Sequence, residues 1–179
     1  MSDTAVVIVD MLNTYEHEDA ELLAPNVAKI IDPLVKLIGT ARDRDDVDLI
    51  YVNDNYGDFT AQFSDIVANA LDGKHPDLVR PILPYDGCRL LTKVRHSVFY
   101  ATALDYLLGR LGAKRVILAG QVTEQCILYS ALDAYVRHFE VVVPSDAVAH
   151  IDAELGDAAL EMMRRNMSAD VIPAVECLG

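Results

Sequence analysis

Tryptophan is absent from this sequence, cysteine occurs three times, and no apolar run reaches the roughly eighteen residues of a membrane-spanning helix. Cys88, Cys126 and Cys177 lie far apart and are odd in number, which excludes a disulfide framework and the paired spacing of a thiolate metal site. Positive charge is also scarce. Fifteen lysines and arginines face 28 acidic residues, for a net charge of −13. Such a surface repels nucleic acid and anionic membranes, and no basic stripe offsets it. Met1-Ser2-Asp3-Thr4 has no basic region, and the apolar run Ala5 to Val9 is too short for a signal peptide. The expectation is a reduced, cytoplasmic protein with no nucleic-acid or membrane partner.

What is present is core. Hydrophobic residues make up 52% of the chain, enough to fill the interior of one domain across residues 1–179. Ala5-Val6-Val7-Ile8-Val9 is a continuous β-branched run of the kind covered on both faces, and it ends at Asp10. Further strands are expected at 47–52, 88–92, 115–119, 141–144 and 169–172. Helical spacing of apolar residues occupies 26–41, 61–71, 104–111 and 123–137, and a last helix is capped by Asp152. Pro33 falls inside the first helix, as a kink or a fresh start. Alternating strands and helices, without the two-residue period of half-exposed sheets, predict an α/β fold. It is a three-layer doubly wound domain with a mainly parallel six-stranded sheet.

In such folds ligands sit beyond the carboxyl ends of the strands. Asp10 follows strand one, Lys93 follows strand three, and Cys126 follows Val116-Ile117-Leu118-Ala119-Gly120, the fourth strand. Thr123 is the expected N-cap of the next helix, which places Cys126 in its first turn, where the helix dipole favours thiolate. Taken singly, each residue has an ordinary reading. A free cysteine is often an inert small hydrophobe, and a lysine is usually a solvated charge. Together they form a set with a chemistry: a thiol nucleophile, a carboxylate that takes and returns its proton, and an ammonium that holds the carboxylate.

Three stretches carry a resemblance: Val7-Ile8-Val9-Asp10-Met11-Leu12-Asn13, Thr92-Lys93-Val94-Arg95-His96-Ser97-Val98-Phe99 and Gly120-Gln121-Val122-Thr123-Glu124-Gln125-Cys126. In this order the chain resembles the isochorismatase-like cysteine hydrolases, which include nicotinamidases and N-carbamoyl amidohydrolases. The resemblance implies Asp10 as general acid and base, Lys93 as its electrostatic partner and Cys126 as nucleophile. It also implies a cis peptide between Gln121 and Val122, with the Val122 and Cys126 N–H groups as an oxyanion hole. By the same analogy the chain forms a homo-oligomer, a dimer or larger.

The departures narrow this reading. Nicotinamidases of the family bind a metal through an aspartate and a histidine two residues later; here Asp54 is followed by Tyr56, and His75 is only a distant substitute. No metal and no cofactor are expected, and nicotinamide recedes as substrate. Isochorismatases that cleave a vinyl ether typically lack the cysteine, so Cys126 favours hydrolysis of a C–N bond in a small amide, imide or ureido compound through a thioester. Ether hydrolysis by Asp10 and Lys93, or a non-catalytic interaction role on the same fold, are the alternatives. For the pocket, Tyr15 is expected as an aromatic wall, Asn13, Asn53 and Asp54 as polar anchors, and Tyr56 and Phe59 as the mouth. Loops 11–25 and 54–82 are expected to set specificity. Tyr129 and Tyr135 are read as core or interface, His96 as a loop contact, and Cys88 and Cys177 as structural.

Overall fold

The computed structural model describes residues 3–179; Met1 and Ser2, which belong to the opening read above, lie outside the described residues. The chain starts in the middle of its sheet. β1 (Thr4–Val9) is buried at every position, and its side chains alternate between two cores. Val6 and Ile8 point into one, and Ala5, Val7 and Val9 into the other. A strand covered on both faces has no polar side to show, which is why the sequence reads as an unbroken apolar run.

Helix α1 (Ala20–Arg42) returns along the first face. It is six residues longer at its start than the apolar spacing indicated, and it continues through Pro25 and Pro33. A proline inside a helix costs about 3 kcal/mol. Here Leu23, Val27, Ile30, Leu34 and Leu37 are all buried against the sheet, at about 1.5–3 kcal/mol for each large side chain, so packing outweighs the lost hydrogen bond. β2 (Val47–Asp54) pairs parallel with β1. The segment after it, taken as one short helix in a loop, holds α2 (Phe63–Asp72) and a single turn, α3 (Pro76–Val79).

β3 (Arg89–Lys93) closes one edge beside β2. The chain then crosses to the second face with α4 (Leu104–Leu111), which ends on left-handed Gly112, and re-enters the sheet as β4 (Arg115–Gln121) on the far side of β1. A π-helical turn (Thr123–Ile127) leads into α5 (Leu128–Val136). β5 (Glu140–Pro144), the two-residue β6 (Val148–Ala149), α6 (Ala153–Asn166) and β7 (Asp170–Ile172) complete the chain. As expected, the Asp152 carboxylate caps α6, accepting from the Leu155 N–H at 3.0 Å.

The strand order is β3-β2-β1-β4-β5-β7, with β6 also paired to β4, and every pairing is parallel. The sheet therefore has seven strands rather than six; a two-residue strand is too short to leave a periodic signature. Strand order reverses between β1 and β4, so the crevice at their carboxyl ends is the place a ligand would occupy. Gly120 fixes the depth of that crevice. Its φ is +119°, and a Cβ there would lie 2.3 Å from the Val9 carbonyl oxygen, so only glycine lets β4 run this close to β1.

Candidate active site

Asp10 is the first residue past β1 and sits in the left-handed region at φ +53°, a conformation that aspartate tolerates better than most residues. Three bonds fix it. Its N–H donates to the Val52 carbonyl at 3.0 Å, Oδ1 accepts from the Asp54 N–H at 2.8 Å, and its own carbonyl accepts from Gln121 Nε2 at 2.6 Å. The other carboxylate oxygen, Oδ2, lies 2.9 Å from Lys93 Nζ. Lys93 closes β3 in register with Asp54, and its ammonium also reaches Asp54 Oδ2 at 3.3 Å and Cys126 Sγ at 3.7 Å. Only 1% of Lys93 is exposed, against 8% of Asp10 and 9% of Cys126. Residues 83 and 33 positions apart in the chain thus converge on one nitrogen.

Burial and charge set the protonation of this cluster. Burial pushes the Asp10 carboxyl above the ordinary carboxylate range, and the Lys93 charge beside it works the other way. Burial disfavours the Lys93 ammonium, but the Asp10 charge, the strongest influence opposing it, prevails and holds its pKa above that of a free lysine. The Cys126 thiol is pushed up to about 12, first by burial and then by the Asp10 charge, with Lys93 only partly compensating. This reverses the expectation that a helix N-terminus would favour thiolate. Thr123 does not cap as expected either. The N-cap position belongs to Val122 without any side-chain bond, and Thr123 Oγ1 is buried without a partner among the described residues. The turn carrying Cys126 is π-helical, and Sγ is aimed at a carboxylate rather than at open solvent. At rest the sulfur holds its proton, so a base is needed at the moment of attack.

The Gln121–Val122 peptide is cis. Val122 separates β4 from the π turn, and its carbonyl accepts from the Gln125 and Ile127 N–H groups, both at 3.1 Å. Glu124 braces the same turn from outside, with Oε1 accepting from the N–H groups of Ile151 and Asp152, each at 2.9 Å.

Above the cluster lies a cavity of about 260 Å³ bordered by Asp10, Asn13, Asp54, Tyr56, Gln121 and Val122. His17, Asp19, Leu23, Gln125 and Ile151 complete its wall. Two anchors named from the sequence, Asn13 and Asp54, and one residue of the expected mouth, Tyr56, are therefore at the cavity. Asn13 Oδ1 is occupied by the Tyr15 N–H at 2.7 Å, and Tyr56 is tied back through its hydroxyl, which donates to the Leu12 carbonyl at 2.9 Å. Tyr15 is not a pocket wall. It is fully buried behind Gln121, its hydroxyl 3.5 Å from Gln121 Oε1, and burial raises its phenol to about 12. Asn53 does not border the cavity either; it brackets Leu12, accepting from its N–H at 2.9 Å and donating to its carbonyl at 3.0 Å. Phe59 is 80% exposed and outside the wall.

His75 packs edge-on against Tyr15 and His96 against Tyr129, so neither histidine joins the cluster. Among the described residues no group of three histidine, cysteine or carboxylate side chains is arranged to hold a metal. Tyr129 and Tyr135 are not core, since each keeps more than two fifths of its surface exposed. Gln121 was named from the sequence only for its backbone, and His17, Asp19, Leu23, Gln125 and Ile151 were missed as wall residues. Gln121 could have been found, because a buried strand ending in a glutamine leaves a polar side chain that needs a partner.

Residues 4–175 match the isochorismatase domain. The chain is 34% identical over 170 residues to the uncharacterized isochorismatase family protein YaaI of Bacillus subtilis, covering 95% of this chain and 93% of that one. It is 27% identical over 164 residues to maleamate amidohydrolase of Pseudomonas putida, covering 87% and 76%. Among solved structures it is similar to N-carbamoylsarcosine amidase from Thermoplasma acidophilum, with a TM-score of 0.76 and 30% identity over the whole of both chains.

Proposed function

The chain belongs to the isochorismatase family, and from that premise we propose that it is a cysteine-dependent amidohydrolase that opens a C–N bond of a small molecule through a thioester. The observation that carries this reading is the position of Lys93 Nζ, 2.9 Å from Asp10 and 3.7 Å from Cys126. Relatives named as amidohydrolase and amidase support the bond type.

Cys126 Sγ attacks the carbonyl carbon of an amide, imide or ureido group while Asp10 takes the thiol proton. The raised thiol pKa makes this transfer part of the attack rather than a prior ionisation. The oxyanion forms against the backbone N–H groups of Val122 and Cys126. Asp10 then returns the proton to the leaving nitrogen, and the C–N bond breaks to give ammonia or an amine and a thioester. Water, deprotonated by Asp10, attacks the thioester and releases the carboxylic or carbamic acid, and the proton goes back to sulfur. Lys93 stays charged throughout and keeps Asp10 aimed. No metal or cofactor is assigned a step.

The test is nitrogen release from small amides by the purified protein and by Cys126→Ala, with intact-protein mass spectrometry of the acyl adduct. Turnover in the parent, an adduct on Cys126 and loss of both in the variant are expected. Turnover that survives Cys126→Ala would overturn the thioester. No nitrogen release from the parent, together with vinyl-ether cleavage that Cys126→Ala retains, would favour the second reading, vinyl-ether hydrolysis, for which the raised Asp10 pKa supplies the proton donor.

A further inference from the structure

Granting the amidohydrolase reading, charge narrows the substrate of this same site. The cavity wall includes three carboxylates, Asp10, Asp19 and Asp54, and no lysine or arginine. Lys93 lies beneath the wall and is 2.9 Å from Asp10, so those two charges offset each other. Asp54 and Asp19 remain. Asp54 is partly satisfied by the Tyr56 N–H at 2.8 Å and by Lys93 at 3.3 Å. Asp19 is not satisfied. It stands at the N-cap of α1 but makes no capping bond, and its exposed carboxylate has no hydrogen bond or ion pair among the described residues.

The wall's own segments add no cationic side chain besides the Lys93 beneath it. The segments that build the wall contain no lysine or arginine at 10–28, 45–73, 116–136 or 138–163. Glu16, Glu18 and Glu21 flank Asp19, and all three are exposed. His17 is the one imidazole in the wall. A carboxylate-bearing amide would enter this cavity against two like charges and meet no fixed cation. An ammonium would meet an unpaired acceptor. At about 260 Å³ the space falls below the range of drug-sized pockets, which limits the ligand to a short chain.

We propose that the substrate is a small amide whose non-reacting end is positively charged, and that Asp19 receives that charge. This selects against acids such as maleamate, the substrate in the name of one relative.

Two measurements test the proposal at pH 8, where an ordinary imidazole is neutral. In the first, Cys126 is modified with aminoethyl and sulfonatoethyl methanethiosulfonate, each forming a mixed disulfide with Sγ and releasing methanesulfinate. Rates are divided by those for 2-mercaptoethanol. The cationic reagent is expected to react at least tenfold faster than the anionic one, with the ratio reduced in Asp19→Asn and inverted in Asp19→Lys. In the second, kcat/KM is compared for 3-aminopropanamide, butanamide and succinamate, and the same order, cation over neutral over anion, is expected. An anionic preference in either measurement, or a ratio that Asp19→Lys does not move, overturns the proposal. A Cys126 that neither reagent modifies overturns it too, because the cavity would not lead to the sulfur. The labelling ratio does not depend on turnover, so it stands apart from the amidohydrolase reading, which fails if the parent releases no nitrogen from amides or if Cys126→Ala retains amide hydrolysis.

Discussion

Two of the molecule's hollows are of very different kind. The larger, about 540 Å³, lies between the later half of α1 and the C-terminal segment, lined by Pro33, Leu37, Ala174, Val175 and Leu178. The smaller, about 260 Å³, stands over the ends of β1 and β4. The large one is a packing gap. Its one carboxylate, Asp146, is already engaged by the Ala174 N–H at 2.7 Å, and its lysine, Lys36, has no reactive neighbour in the wall. The small one sits against an almost wholly buried lysine shared by two carboxylates and a thiol. Volume here comes from how a helix meets a tail, whereas chemistry comes from where parallel strands stop. Size alone would have selected the wrong hollow.

Substitution at each hollow can break that contrast. The largest effect is expected from Asp10→Asn, which leaves Cys126 with no base for a proton held up to a pKa of about 12. Turnover should fall by roughly 10²–10⁴-fold, the range for general acid–base catalysis, with an unchanged circular dichroism spectrum. An active Asp10→Asn protein would remove the chemical distinction between the two sites. Next is Lys93→Ala, which strands Asp10 and Asp54 in a buried place. A destabilisation of about 3–5 kcal/mol in urea unfolding is expected, because removing one member of a buried pair leaves an uncompensated charge. Stability within experimental error of the parent would mean the cluster is far wetter than its burial indicates.

A smaller shift should appear in the pH profile. The base form of Asp10 is the ionised one, and burial raises its pKa, so kcat/KM should climb with pH along a limb lying above the ordinary carboxylate range. Any Lys93→Ala activity should show that limb moved further up, since the ammonium opposes the rise. A limb near pH 4 would contradict the burial of Asp10. The smallest effect belongs to the other hollow. Val175 is 86% exposed, so Val175→Ala should change unfolding free energy by less than about 0.5 kcal/mol and leave kcat/KM unaltered. A large loss of turnover there would tie the large hollow to the chemistry.

Much of this arrangement was legible in the chain itself. β1 and β4 announce themselves because strands covered on both faces are continuously apolar, and Asp10 and Cys126 follow at their ends. What could not be read was distance and environment. Helix-dipole reasoning assigned Cys126 a lowered pKa from its position alone, whereas the burial and the Asp10 charge that raise it depend on residues far away in sequence. Tyr15 failed for the same reason: an aromatic five places after Asp10 can face the cavity or lie behind Gln121, and its spacing is identical in both cases. α1 outran its apolar pattern, and Pro33, which suggested a kink or a fresh start, is carried through by tertiary packing. Asp19 left no signal at all, since an acidic residue among acidic residues looks like ordinary solvated surface.

The left-handed backbone at Asp10 has a practical consequence for anyone who wants an inactive but intact form of this protein. At φ +53° most side chains crowd their own carbonyl, and asparagine is among the few that do not. An alanine or valine in that position would disturb the Asp54 and Gln121 bonds along with the carboxylate, so a lost activity could not be told from a lost shape. Asparagine keeps the bend and an acceptor oxygen while removing only the charge. It is the substitution with which to trap an unreacted ligand in place.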